Sequence, residues 1–246
     1  MPAALGGGAP AKKLRPFSMR VLAIDTALAA CSAAVLDTDH GGGILASDSL
    51  AMTRGHAEAL MPLIYHVMER AGVAFADLDR VAVTTGPGSF AGLRVGISAA
   101  RGIALATDKP AVGVSTLTAY AAPLLADDDT TPVIAAIDAR HDHVYLQVFG
   151  AGGRVLISPR LAPMSDAVRA ASDAQCRIIG SAAQSIADRL PRGAPLPLLV
   201  DVRDAPDIVW VARMGAVLPE GQSPPKPQYL RAPDAQPQNA AQLPRR

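Results

Sequence analysis

The chain has 246 residues, half of them hydrophobic, and a net charge of +1. That length can bury one large core or two smaller ones, and the near-neutral balance excludes a strong overall field for nucleic acid, leaving only local basic patches. Cys31 and Cys176 are far apart, fit neither a disulfide framework nor a CxxC metal pair, and read as buried thiols of a reducing cytoplasm.

Residues 1–18 are rich in Gly and Ala and read as a disordered N-terminal extension. They carry Lys12, Lys13 and Arg15 but no apolar region follows, so no signal peptide is expected; Met19 stands as an alternative start to Met1. Strands are predicted at 20–25, 31–37 and 43–50, then a helix from about Gly55 to Ala71 that stops at Gly72. A buried strand at Arg80–Thr84 leads into the turn Gly86-Pro87-Gly88, with Ser89 as N-cap of a helix reaching about Ala106. A short strand at Ala111–Val114 precedes a helix capped by Ser115 or Thr116 and running through about Leu125.

The pattern then restarts. Val133 to Ala139 and Val144 to Phe149 repeat the earlier sequence of strand, Asp, short turn and strand, with Asp138 in the place of Asp25. A strand at 154–157, a helix at 165–171, a strand at 177–179 and a helix at about 182–190 follow. Asp204-Ala205-Pro206 reads as the cap of a last helix ending near Leu218. Residues 219–227 are Pro-rich, and 232–246 read as a disordered tail. No apolar run approaches the ~20 residues that span a membrane.

Few motifs carry chemistry. The glycine turn before Ser89 could hold an anion at a helix N-terminus, but the Lys-Ser/Thr pair of a Walker A loop is missing and a tight packing turn explains it as well. His56 fits a structural role, and His141 and His143 fit a solvated turn better than a metal site. Asp25 and Asp138 form the one pair of equivalent carboxylates; turn capping explains each alone, and their repetition points to phosphate or magnesium at least as ancestry. With four Phe, four Tyr and one Trp, no aromatic platform for stacking single-stranded bases is apparent.

Two helices are too apolar for a simple surface position. Ala57, Met61, Tyr65 and Met68 widen the apolar arc of the first to roughly 200°, against the ~100° a surface helix needs. In the second, Arg94, Ser98 and Arg101 make a narrow polar stripe in an otherwise small and apolar surface. Each could be covered by its own fold. Alternatively, Ala57, Met61, Tyr65 and Met68 form a partner surface that Gly92, Gly96 and Ala100 let approach closely.

The blocks Val21–Thr26, Arg54–Glu58, Thr85–Gly96, Gly113–Leu117, Ala136–Arg140 and Tyr229–Arg231 together resemble the bacterial TsaB (YeaZ) family over about residues 19–232. The Gly-Pro-Gly-Ser-Phe block with its Gly-Leu-Arg continuation is the most specific. The resemblance implies an α/β, actin/Hsp70-like (ASKHA) duplicated fold of two subdomains, the second reduced, at 19–118 and 119–231. It implies a non-catalytic subunit that pairs with a TsaD-like paralogue and a TsaE-like ATPase. That complex installs threonylcarbamoyl on the adenosine beside the anticodon of tRNAs reading codons that start with A. ATP is used by the complex, tRNA is met through it, and a homodimer of the free chain is left open. No cofactor, metal or catalytic residue is assigned to this chain. Asp25, Thr26 and Asp138 are a vestigial nucleotide-binding set, because Asp25-Thr26-Ala27 lacks a glycine that would admit phosphate and Asp138-Ala139-Arg140 is bulkier. Thr116 and Tyr120 stand where the catalytic relative has the two histidines of its metal motif. The alternatives are an independent metal-dependent peptidase or ATPase of the same fold, or a sugar or acetate kinase-like enzyme, for which the second half is short.

Overall fold

The first strand, Arg20–Asp25 (β1), is buried along nearly its whole length, which is what a strand covered on both faces of a sheet requires. The computed structural model describes residues 18–40, 43–221 and 223–231. The expected extension before residue 18 and the tail after 231 lie outside the described residues.

β1 runs antiparallel to Ala30–Asp37 (β2), which pairs with Gly43–Ala51 (β3). Arg80–Gly86 (β4) and Ala111–Ser115 (β5) add in parallel, giving the order β3-β2-β1-β4-β5. Helices His56–Ala71 (α1) and Phe90–Thr107 (α2) make the two crossovers. Alternation along β1 sorts its side chains. Leu22 and Ile24 pack with Leu60, Ile64 and Ile97 of α1 and α2, whereas Val21 and Ala23 face the opposite layer.

The second sheet has the same topology. Val133–Asp138 (β6), His143–Phe149 (β7) and Val155–Pro163 (β8) form the antiparallel meander, and Arg177–Ile179 (β9) and Leu199–Asp201 (β10) add in parallel to β6. Its crossover helices, Met164–Ser172 (α4) and Ala183–Ala187 (α5), have 9 and 5 residues where α1 and α2 have 16 and 18. The fold is therefore the expected duplicated α/β, actin/Hsp70-like one, with the second copy reduced.

The remaining two helices are exchanged. Thr116–Asp127 (α3) follows the first sheet, yet its Leu117, Tyr120 and Leu124 pack on Val133, Ala135 and Ile137 of the second. Ile208–Val217 (α6) follows the second sheet, yet its Val211 and Ala212 pack on Val21, Ala34 and Ala82 of the first. A buried arginine at the start of a central strand caps each. Arg80 donates to the carbonyls of Gly215, Ala216 and Leu218 at 2.8, 3.2 and 2.8 Å and pairs with Glu220 at 3.0 Å. Arg177 donates to the carbonyls of Leu124, Asp128 and Thr131 at 2.8, 2.5 and 2.9 Å. Terminal carbonyls have no partner within their helix and carry the negative end of its dipole, so a guanidinium satisfies both needs.

Some boundaries differ from expectation. The N-cap of α6 is Asp207, which accepts from the Val209 N–H at 2.9 Å, rather than Asp204. β8 is longer than predicted, and β10 was not predicted. Both cysteines are buried and free.

Removing either clamp should strand several helix-end carbonyls in a buried setting. Arg80→Ala and Arg177→Ala should each lower stability by about 3 kcal/mol, since hydrogen bonds to charged groups contribute roughly 1.5–3 kcal/mol each. Urea unfolding checks this; an unchanged midpoint in both variants would show that the clamps contribute nothing net.

Candidate functional site

The bend of the first hairpin is buried at Asp25, Thr26 and Ala27, while Leu28 and Ala29 at its tip are half-buried. Asp25 is fully buried: its Oδ1 accepts from the Thr84 hydroxyl at 2.5 Å and the Ala27 N–H at 3.1 Å, and its Oδ2 has no partner. Burial raises its carboxyl from 3.8 to about 6, against the lowering effects of Thr84, Ala27 and His56. The same burial, with Asp25 adding to it, pushes the Cys31 thiol up to about 11. Thr26 is buried too and donates to the Gly92 carbonyl at 2.7 Å. His56, at the start of α1, places Nε2 3.1 Å from the Leu28 carbonyl. The Ser89 N–H at the head of α2 donates to the Ala27 carbonyl at 2.7 Å.

These contacts correct the reading of the small residues on α2. Gly92 and Gly96 are buried against Thr26: an added methyl would overlap the Thr26 carbonyl oxygen at Gly92 and the Thr26 hydroxyl at Gly96. Ala100 and Met68 also belong to the chain's own core. The close approach permitted by Gly92, Gly96 and Ala100 is to the chain's own hairpin and core. Sequence alone could not distinguish an internal neighbour from an external one.

The outer surface of the two helices is a different set. Ala57 is exposed and Met61 half-buried, and Tyr65 is 61% exposed while its ring meets Phe75 edge-on. On α2, Ala91, Arg94, Ser98 and Arg101 are exposed, Val95 and Ala99 half-buried, and Leu105 is 86% exposed. α1 and α2 pack against each other on one face of the sheet, and these residues lie on their outward sides.

The second hairpin bend is open by comparison. Asp138 is exposed and accepts from the Arg140 N–H at 2.8 Å, while its own N–H donates to the Ser181 hydroxyl at 3.0 Å. Arg140, His141 and Asp142 all have left-handed backbone, and Asp142 is ion-paired with Arg189. His143 is occupied with the His141 carbonyl at 2.7 Å, which makes it a turn residue. Of the nucleotide set, only Asp138 lines an open space; Asp25 and Thr26 are sealed inside.

That space is a cleft of about 670 Å³ between the two bends, lined by Leu28, Ser89, Phe90, Asp138, Arg140 and Tyr145 among others. Residues 228–231, at the end of the segment 223–231, form part of its wall. The Ser223 carbonyl accepts from the Gly113 N–H, Gln228 N–H donates to the Thr85 carbonyl (both 2.7 Å), and Arg231 donates to the Ala139 carbonyl at 2.8 Å. This stretch therefore ties the first sheet to the second. Tyr229 stacks on Phe90 with centroids 5.0 Å apart, and the Arg94 guanidinium lies 3.8 Å over the other ring's centroid while its Nε donates to the Tyr229 hydroxyl at 3.3 Å. Sequence reasoning gave Phe90 and Tyr229 no role; the available signal was a Tyr-Leu-Arg following a Pro-rich stretch in an aromatic-poor chain.

The two positions of the relative's metal motif do not suit a metal here. Thr116 is buried with an unpartnered Oγ1, and Tyr120 is buried with its hydroxyl donating to the Arg203 carbonyl at 3.1 Å. Burial drives the Tyr120 phenol strongly upward, keeping it protonated and unfit as a ligand. Among the described residues no three His, Cys, Asp or Glu side chains gather as a metal site would need, and no helix is long and apolar enough to cross a membrane.

Comparison with known proteins is informative at this point. Residues 38–192 match the family model described as "TsaD: tRNA N6-adenosine threonylcarbamoyltransferase". The chain is 40% identical over 127 residues to the tRNA threonylcarbamoyladenosine biosynthesis protein TsaB of Escherichia coli, covering 52% of this chain and 53% of that one. It thus spans about half the length of the curated TsaB relatives it matches, the Haemophilus influenzae protein included. An uncharacterized Mycobacterium tuberculosis protein is 32% identical over 219 residues, 88% of this chain and 94% of that one. The solved structure of YeaZ from Pseudomonas aeruginosa superposes with a TM-score of 0.71 at 30% identity, covering 86% of this chain and all of that one.

The state of Asp25 yields a test of its role. A carboxyl raised from 3.8 to about 6 stabilises the fold fully below its unfolded value and loses that contribution as pH rises through about 6. Asp25→Asn keeps an Oδ1 acceptor for Thr84 and Ala27 without a buried charge. The variant should match or exceed the parent in thermal stability near neutral pH and should lack the parent's loss of stability between roughly pH 4 and 6. Melting curves across that range check it, and a variant much less stable than the parent at neutral pH would mean that the ionised carboxylate is needed.

Proposed function

The chain belongs to the TsaB (YeaZ) family, and on that membership we propose that it takes part in making threonylcarbamoyl-adenosine in tRNA as the non-catalytic partner of a TsaD-like transferase. The observation that carries the reading is the outer layer of α1 and α2. Two neighbouring helices expose Tyr65 and Leu105, with Ala57, Met61, Ala91 and Val95 between polar residues. Large apolar side chains exposed on a rigid helical surface are suited to anchor a protein interface. The buried first bend and the donor-poor Thr116–Tyr120 stretch support a chain that contributes surface and leaves transfer to its partner.

In this reading the partner is a paralogue of the same fold that retains metal ligands, and a TsaE-like ATPase joins the pair and accounts for the ATP used. The interface set is Ala57, Met61 and Tyr65 from α1 and Leu105 with its half-buried neighbours from α2. Met68, Gly92, Gly96 and Ala100 support this face from beneath. The subdomains are taken as 19–118 and 119–231, with α6 the part of the second that docks on the first sheet. The chain is placed in the cytoplasm with the tRNA that it helps to modify.

Copurification with the TsaD-like protein of the same genome tests the pairing. Leu105→Asp and Tyr65→Ala should each weaken pairing by about 2 kcal/mol or more, a roughly 30-fold loss, as buried anchors at an interface centre do. Neither should shift the melting temperature much, because both side chains are largely exposed in the free chain. Normal pairing by both variants would move the interface elsewhere.

A further inference from the structure

The composition holds four Phe, four Tyr and one Trp, yet Phe90, Tyr145 and Tyr229 all border one cleft. Phe90 and Tyr229 remain 42% and 43% exposed although their rings stack on each other. Arg94 extends the stack on Phe90, and Arg140 and Arg231 line the opposite side. Asp138 is the one carboxylate among the lining residues, and its Oδ1 already accepts from the Arg140 N–H. Arg20, Arg160 and Arg203 each sit on a carboxylate. Arg94 and Arg101 on α2 have no ion pair among the described residues, and α2 itself contains no acidic residue.

We propose that the mouth of this cleft is a contact for an unstacked nucleotide of single-stranded RNA. The inference rests on the reading of the chain as part of a tRNA-modifying assembly and deepens it by naming the RNA-facing surface. The base stacks on the Phe90–Tyr229 pair, since every base has a π-face and aromatic stacking is tolerant of sequence. The flanking phosphates meet Arg140 and Arg94, whose guanidinium groups suit bidentate contact with phosphate oxygens. A volume of about 670 Å³ lies within the range of small-molecule sites and is ample for one nucleotide. Tyr and Arg also anchor protein interfaces. RNA is favoured because the site is concave and cationic, while the flat, more apolar surface lies further along α1 and α2.

The test uses the full chain, alone and with the TsaD-like protein, and an anticodon stem–loop RNA carrying 4-thiouridine in its loop. Ultraviolet cross-linking should place an adduct on the peptides containing Phe90 or Tyr229. The isolated chain should bind on the order of 10⁻⁵ M, in the range of weak electrostatic nucleic-acid binding. Tyr229→Ala combined with Arg140→Glu should weaken RNA binding about tenfold or more, both alone and in the assembly, with pairing unchanged. Tyr229→Phe should keep the affinity, because the stacking face remains, which also guards against a merely unfolded variant. Unchanged affinity in the double variant, or adducts confined to other surfaces, overturns the proposal. Loss of pairing with unchanged RNA affinity of the isolated chain also overturns it and makes the cluster a protein anchor. If the parent chain does not pair at all, the function proposed above fails, while the cross-link to the isolated chain still decides the cleft.

Discussion

The seating of the Thr26–Ala29 bend against the N-termini of α1 and α2 is the constraint on which the surrounding structure depends. At the head of α2, the Ser89 amide, one of those that would greet an anion, is bound to the Ala27 carbonyl at 2.7 Å. The Thr26 hydroxyl adds a second link at Gly92, and His56 holds the same bend from the α1 side. The chain's own backbone therefore takes up the Ser89 amide. The two helices thereby gain a fixed relative position. A rigid outer layer loses less entropy when a partner docks.

The second organising feature is the exchange of α3 and α6 between the sheets. Each helix is held at its C-terminal end by an arginine from the sheet it packs on, Arg80 for α6 and Arg177 for α3. The arrangement cross-links the two halves without a disulfide, and the segment 223–231 adds a third tie across the cleft. Symmetry is kept in the sheets and these clamps. It is lost in the crossover helices, where α4 and α5 are too short to offer a face comparable to that of α1 and α2.

Much of the fold is legible in the sequence. The repeated hairpin ending in Asp25 and Asp138 announces the duplication, because a strand buried on both faces must read as an unbroken apolar run, and both copies do. The helix starts at Ser89 and Ser115 follow from capping chemistry, and each hydroxyl does accept from the amide three residues on. The exchange of α6 is not legible, since nothing in Ile208–Val217 says which sheet it will cover. Nor is β10, a three-residue edge strand among prolines. β8 outran its expected length because prolines at 159 and 163 are compatible with an edge strand that pairs on one side only. The site was legible in its residue types and misleading in its geometry. Small residues on α2 signal close packing but cannot say against what, and an aromatic count cannot show that three scattered rings converge.

The two surfaces proposed for this chain share one helix. α2 carries Phe90 at the cleft and Leu105 near its far end, and at 1.5 Å per residue these two lie about 22 Å apart along a single rigid rod. A partner docked along that rod would reach the cleft mouth without any change in this chain's shape. Sealing the first bend is what makes this possible: the helix is anchored through its N-terminal turn, so its outward side chains keep their aim. The hydrogen bonds of Ser89, Thr26 and His56 carry that anchoring.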